Sequence, residues 1–153
     1  MANRIMLNET SYHGAGAIQE IATEAKAHGF QKAFVCSDPD LIKFGVTKKV
    51  TDVLDKNGLV YEIYSDIKPN PTIQNVQHGV QAFKDSGADY LIAIGGGSSM
   101  DCAKAVGARL ARPNKPLAKM EGILKIWHKL PLLIAVPTTA GTGSEVTPYA
   151  ILT

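Results

Sequence analysis

Gly95, Gly96 and Gly97, with Ser98 directly after them and Asp101 three residues further on, stand between an apolar run (YLIAI, residues 90–94) and a stretch of helical periodicity. At a strand-to-helix junction, a backbone without Cβ atoms takes tight or left-handed angles and lets a ligand approach the main chain. The first-turn amides of the helix then face outward, with the positive end of the helix dipole behind them. That is a site for a phosphate or diphosphate. Ser98 is read as the N-cap, and Asp101 as its reciprocal partner in a capping box with Asp in place of Glu. The same glycines also suit a helix that simply packs close to a sheet. Neither G-x-G-x-x-G nor the G-x-x-x-x-G-K-[ST] phosphate loop is present.

Three further polar features fall at the ends of apolar runs. Asp38 follows KAFVCS and precedes Pro39. A carboxylate there can accept both hydroxyls of an adenosine ribose and repels a 2′-phosphate, which favours NAD over NADP; it can equally cap a turn. The acid precedes the glycines, the reverse of the usual dinucleotide fingerprint. Asn70, held between Pro69 and Pro71, can turn its amide toward a cleft or serve the turn alone. Thr138, Thr139 and Thr142 bring hydroxyls to the glycine-containing loop after the last apolar run. Loops that converge on one sheet edge argue for a bound nucleotide more strongly than any one of them does.

The elements that must position these residues alternate along the chain, short apolar runs with amphipathic stretches, as in β-α-β units around a parallel sheet. Strands are expected near residues 4–7 and at 32–37, 59–64, 90–94 and 132–136. Helices are expected at 17–28, at 46–57, from a cap at Thr72 to Gly87, and at 98–111, with two short amphipathic pieces inside 112–129. This is an α/β, Rossmann-like arrangement: a parallel sheet with helices on both faces. The last run, after PTTAGTGSEVT, is apolar and β-prone to the end, which suggests a piece of something longer.

At 153 residues, 45% apolar and 20% charged, the chain reads as one domain, residues 1–153, able to bury a core without disulfides or metal. A net charge of +2 with interleaved signs gives no footprint for nucleic acid. No run approaches the roughly 20 apolar residues of a membrane span. Cys36 and Cys102 lie in or beside apolar runs and read as reduced, which points to the cytoplasm. His13, His28, His78 and His128 are scattered without metal-ligand spacing and read as surface or helix-end residues. Strands left at a sheet edge make a homo-oligomer plausible through edge pairing.

Taken together, LIAIGGGSSMDCAKAVGA, LPLLIAVPTTAGTGSEVT, CSDPDL and KPNPT closely resemble the iron-containing (group III) alcohol dehydrogenases, over essentially the whole chain. The resemblance implies an amino-terminal α/β domain like that of dehydroquinate synthase. It implies hydride transfer between small alcohols or diols and aldehydes, with NAD as cofactor rather than NADP. Position by position, Asp38 would contact the ribose and Asn70 would line the cleft. Gly96, Gly97 and Ser98 would hold the diphosphate, with Thr138, Thr139 and Thr142 along the cofactor and Asp101 acting as a cap. In the family, one Asp and three His of a helical carboxyl-terminal domain bind Fe2+ or Zn2+. None of that domain matches this sequence, so this chain alone is expected to be inactive, with no catalytic residue or metal ligand of its own. The wider superfamily, with glycerol dehydrogenase and dehydroquinate synthase, and a nucleotide-binding module without catalysis remain the alternatives.

Overall fold

Runs of β-branched and aromatic residues with no polar alternation suit strands covered on both faces. In a computed structural model of the chain, residues 10–120, 129–147 and 150–152 are described. Four strands, β1 (Lys32–Ser37), β2 (Val60–Tyr64), β3 (Tyr90–Gly95) and β4 (Leu133–Pro137), form one parallel sheet in the order β2-β1-β3-β4. The first step goes from β1 to its neighbour on one side, and the next strand, β3, lies on the other side of β1. The order therefore reverses between β1 and β3, the point beyond whose carboxyl ends open α/β sheets bind ligands.

Side chains alternate between two cores. Ala33, Val35, Tyr90, Ile92 and Ile94 face α1 (Glu20–Ala27) and α3 (Val46–Lys56), where Ile21, Ala25, Val50 and Leu54 close the layer. Phe34, Cys36, Leu91 and Ala93 face α4 (Ile73–Ser86) and α5 (Gly97–Ala111), through Val76, Phe83, Met100 and Val106. Helices thus cover both faces, as the alternation of runs predicted. Small residues bring α4 and α5 together: a Cβ on Gly79 would stand 2.8 Å from Val106 Cγ2, so a methyl group there would force the helices apart.

The helix starts after β1 and β3 differ from the sequence reading. A short helix, α2 (Pro39–Lys43), follows β1, where only a turn was foreseen. The helix after the glycines begins at Gly97 with Gly96 as N-cap, so Ser98 is inside the first turn and is not the cap. Asp101 accordingly makes no capping box; it lies 3.7 Å from Lys104, one turn on. The reason is steric: with Gly95 and Gly96 free of side chains, the chain can turn into the helix earlier than a serine cap would require. The strand expected near 4–7 lies outside the described residues, as does much of the 112–129 segment, where the described part includes a short 3-10 turn at Leu117–Lys119.

Candidate functional site

Gly95 ends β3 at φ +145, and a Cβ there would fall 2.4 Å from Ser99 Oγ and 3.3 Å from Leu41 Cδ1. The glycine therefore lets two elements close on the end of the strand: the first turn of α5, and α2 coming from the end of β1. A Cβ on Gly96 would be 3.1 Å from Thr139 Oγ1, and one on Gly97 3.4 Å from Ser144 Oγ, so the loop after β4 leans on the same turn. That loop begins with the Thr138 amide donating to Gly95 O at 3.0 Å, which continues the β3–β4 pairing past the last strand residue.

Gly96 caps α5 without a side-chain hydrogen bond. Among the described residues, no side chain accepts from the amides of Gly97, Ser98 or Ser99, and Gly96, Gly97 and Ser98 are half-buried. Helix donors in this state are satisfied by water or by an anion. Ser99 Oγ, also in the first turn, is buried without a hydrogen-bond partner among the described residues. A helix N-terminus with no side-chain cap, half-buried and reached over glycines, suits a phosphate or diphosphate.

Asp38 stands at the matching position after β1. Its Oδ1 accepts from the Leu41 amide at 2.9 Å, with Pro39 at the start of α2, so Asp38 caps that helix. Asp followed by Pro is the ordinary start signal of a helix, and it could have announced α2 from sequence. Beneath it, Ser37 and Thr47 hydroxyls pair at 2.6 Å in the core. Asn70 is exposed on the loop after β2, at φ 56, left-handed although it is not glycine. Such backbone is uncommon and clusters where the surroundings fix it. Thr138, Thr139 and Thr142 are exposed on the loop after β4, where Thr142 Oγ1 accepts from the Ser144 amide at 3.4 Å.

The structure thus brings the glycine turn, the Thr138–Thr139 segment and, through Leu41, the Asp38 helix into contact. Asn70 shares the edge one strand further out. Sequence reasoning missed two supports. Lys104 reaches Thr147 at 3.2 Å and, with Asp101, ties α5 to the β4 loop. Desolvation lowers the Lys104 pKa, and Asp101 opposes that shift. The other support is the Thr72–Asn75 capping box, in which Asn takes the place of the usual Glu or Gln.

The remaining chemistry-bearing groups lie away from this turn. Cys36 and Cys102 are free and buried; burial raises both thiols, Cys102 to about 12, so neither supplies a thiolate near neutrality. His13 is exposed beside Ser11, His28 ends α1, and His78 meets Asp66, while His128 is outside the described residues. Among the described residues no cluster of three His, Cys, Asp or Glu could hold a metal, and no helix is long and apolar enough to cross a membrane.

Comparison with known proteins agrees with this geometry. Residues 8–153 match the family model for iron-containing alcohol dehydrogenase. The chain is 45% identical to lactaldehyde reductase of Escherichia coli (strain K12), over all of this chain and 40% of that protein. It is 39% identical to alcohol dehydrogenase 4 of Schizosaccharomyces pombe, over 92% of this chain and 33% of that one. Among solved structures, 1,3-propanediol oxidoreductase superposes with a TM-score of 0.87 at 32% identity, over 94% of this chain and 38% of its own. Sulfoacetaldehyde reductase from Bifidobacterium kashiwanohense, solved in complex with NAD+, gives 0.78 at 32% identity, over 88% and 35%. The chain spans about 40% of the length of the E. coli relative, and less of the others named here.

Proposed function

The chain belongs to the iron-containing alcohol dehydrogenase family, and on that premise we propose that residues 1–153 are the NAD-binding part of an enzyme interconverting small primary alcohols or diols and aldehydes. One observation carries the reading: at the sheet edge where strand order reverses, a helix N-terminus without a side-chain cap follows one strand and a carboxylate follows its neighbour. In this reading the amides of Gly97 and Ser98, reached over Gly96, hold the diphosphate. Asp38 accepts the ribose hydroxyls and disfavours a 2′-phosphate. Asn70, Thr138, Thr139 and Thr142 line the cofactor, and Asp101 serves indirectly by holding Lys104 against the β4 loop.

When bound, NAD supplies a carbon that accepts or gives hydride at the alcohol carbon. This chain's own residues orient it. The described residues offer no donor set for iron or zinc, so the metal ligands of such an enzyme lie outside them and no step is assigned to a metal here. The cytoplasm, a small-molecule substrate and self-association complete the proposal.

Titration calorimetry with NADH and NADPH tests it. Saturable binding of NADH, tighter than that of NADPH, is the expected outcome; no heat and no change in nicotinamide fluorescence at millimolar NADH would overturn it.

A further inference from the structure

The segment joining β2 to α4 carries more hydrogen bonds than a helix cap needs. Asn75, 4% exposed, uses its whole amide: Oδ1 accepts from the Thr72 amide at 3.1 Å and the Thr72 hydroxyl at 2.8 Å, and Nδ2 donates to Asp66 Oδ1 at 3.0 Å. Its backbone carbonyl accepts from the Tyr64 hydroxyl at 2.5 Å. Asp66 Oδ2 in turn meets His78 Nδ1 at 2.9 Å. A capping box requires only Thr72 and Asn75. The ties to Asp66 and Tyr64 do nothing for the helix end, but they fix the exit of β2 and the start of the loop to the same buried residue, one through its side-chain amide and the other through its backbone carbonyl.

What lies between the two anchored ends is residues 67–71, with Ile67 buried in the core, prolines at 69 and 71, and Asn70 exposed at φ 56. A residue before proline is pushed toward extended backbone, so left-handed Asn70 is a conformation its own sequence disfavours. Anchoring from both sides holds such a residue in place.

We propose that Asn75 and Asp66 form a bracket that sets the position of Asn70, making Asp66 a positioning residue for whatever Asn70 contacts; for the dinucleotide this rests on the reading above. A buried amide with all its polar atoms satisfied has one good arrangement and costs much to disturb. The bracket therefore fixes the arch before any ligand arrives.

Asp66→Ala is the test, because the Asp66 side chain is 41% exposed and its loss removes one acceptor of Asn75 without opening a cavity in the core. In this 153-residue chain, the variant should exchange amide hydrogens faster at Lys68 and Asn70, with the sheet and α5 unchanged. NADH affinity should fall about tenfold. In an Asn70→Ala background the same change should do little more, because the two act through one contact. Asp66→Asn, which keeps an acceptor for Asn75, should recover part of the loss. Unchanged exchange at residues 67–71, or losses from Asp66→Ala and Asn70→Ala that add in full, would overturn the bracket. Should the unaltered chain bind no NADH, the dinucleotide reading fails instead, and the exchange experiment still decides the bracket.

Discussion

β1 and β3 lie side by side, end at the same edge and each pass into a helix through one linking residue, Asp38 after the first and Gly96 after the second. The two helix ends are finished in opposite ways. Asp38 reaches back to Leu41 and seals a five-residue helix that buries none of its residues. Gly96 leaves the end of α5 open, and α5 is fifteen residues long with most of one side in the core. The residues before them differ in the same sense: Ser37 keeps its side chain and spends it on Thr47, while Gly95 could not carry one. Two similar turns thus end differently, one with a carboxylate and the other with amides that no side chain caps, and in the proposed function each takes its own part of the cofactor. A dinucleotide needs both, for its sugar and for its diphosphate.

Making the second turn like the first should have the largest effect. Gly96→Asp suits a backbone at φ −89, ψ −158, where its Cβ would stand 3.1 Å from the hydroxyl of exposed Thr139, a side chain that can turn aside by the few tenths of an ångström required. Its carboxylate would occupy the α5 amides and repel phosphate, so NADH affinity should drop by about 100-fold while circular dichroism stays native. A variant that still binds as the wild type does would place the diphosphate elsewhere.

Gly95→Ala sharpens the contrast one residue earlier. It meets Ser99 at 2.4 Å and keeps a backbone angle that alanine avoids. Chemical denaturation should show a loss of about 2–3 kcal/mol. Ser99→Gly in the same chain should return part of this loss.

At the first turn, Asp38→Ser separates capping from charge. Serine caps about as well as aspartate, so stability should remain within about 0.5 kcal/mol. NADH affinity should fall about tenfold, and the preference over NADPH should narrow. Equal losses for both cofactors would mean that the carboxylate does not read the ribose.

The smallest effect concerns pH. The His78 hydrogen bond, with help from Asn75, holds the Asp66 carboxyl below its ordinary range. Its folded-state pKa being depressed, its contribution to stability is present above the unfolded value of about 3.9 and is lost as pH falls through the folded one. The stability gap between wild type and Asp66→Asn should therefore narrow as pH falls below that unfolded value. Water screens so exposed a pair, and the gap should not exceed about 1 kcal/mol.

Much of the framework was legible because burial on two faces leaves a direct imprint on sequence. KAFVCS became β1 at the residues foreseen, and Thr72 and Gly87 bound α4 as read. The helix starts at the functional edge were harder to place. Asp38-Pro39 reads as a turn and Ser98 as a cap, because a cap's identity depends on where the preceding strand lets the chain bend, which the residue types do not state.

The sequence by itself determined that strands and helices alternate, that both faces of the sheet are apolar, and that glycines, an acid and threonines fall at strand ends. Those are properties of residue spacing. Tertiary structure alone decided that β3 lies beside β1 on the side away from β2, so that Asp38 and Gly96, distant in the chain, follow neighbouring strands at one edge of the sheet. It also decided that Gly95 must yield its space to Ser99 and Leu41, and that Asn75 ties the exit of β2 to α4. Strand order and close approach arise from contacts between distant segments, and no local pattern encodes which segments will meet.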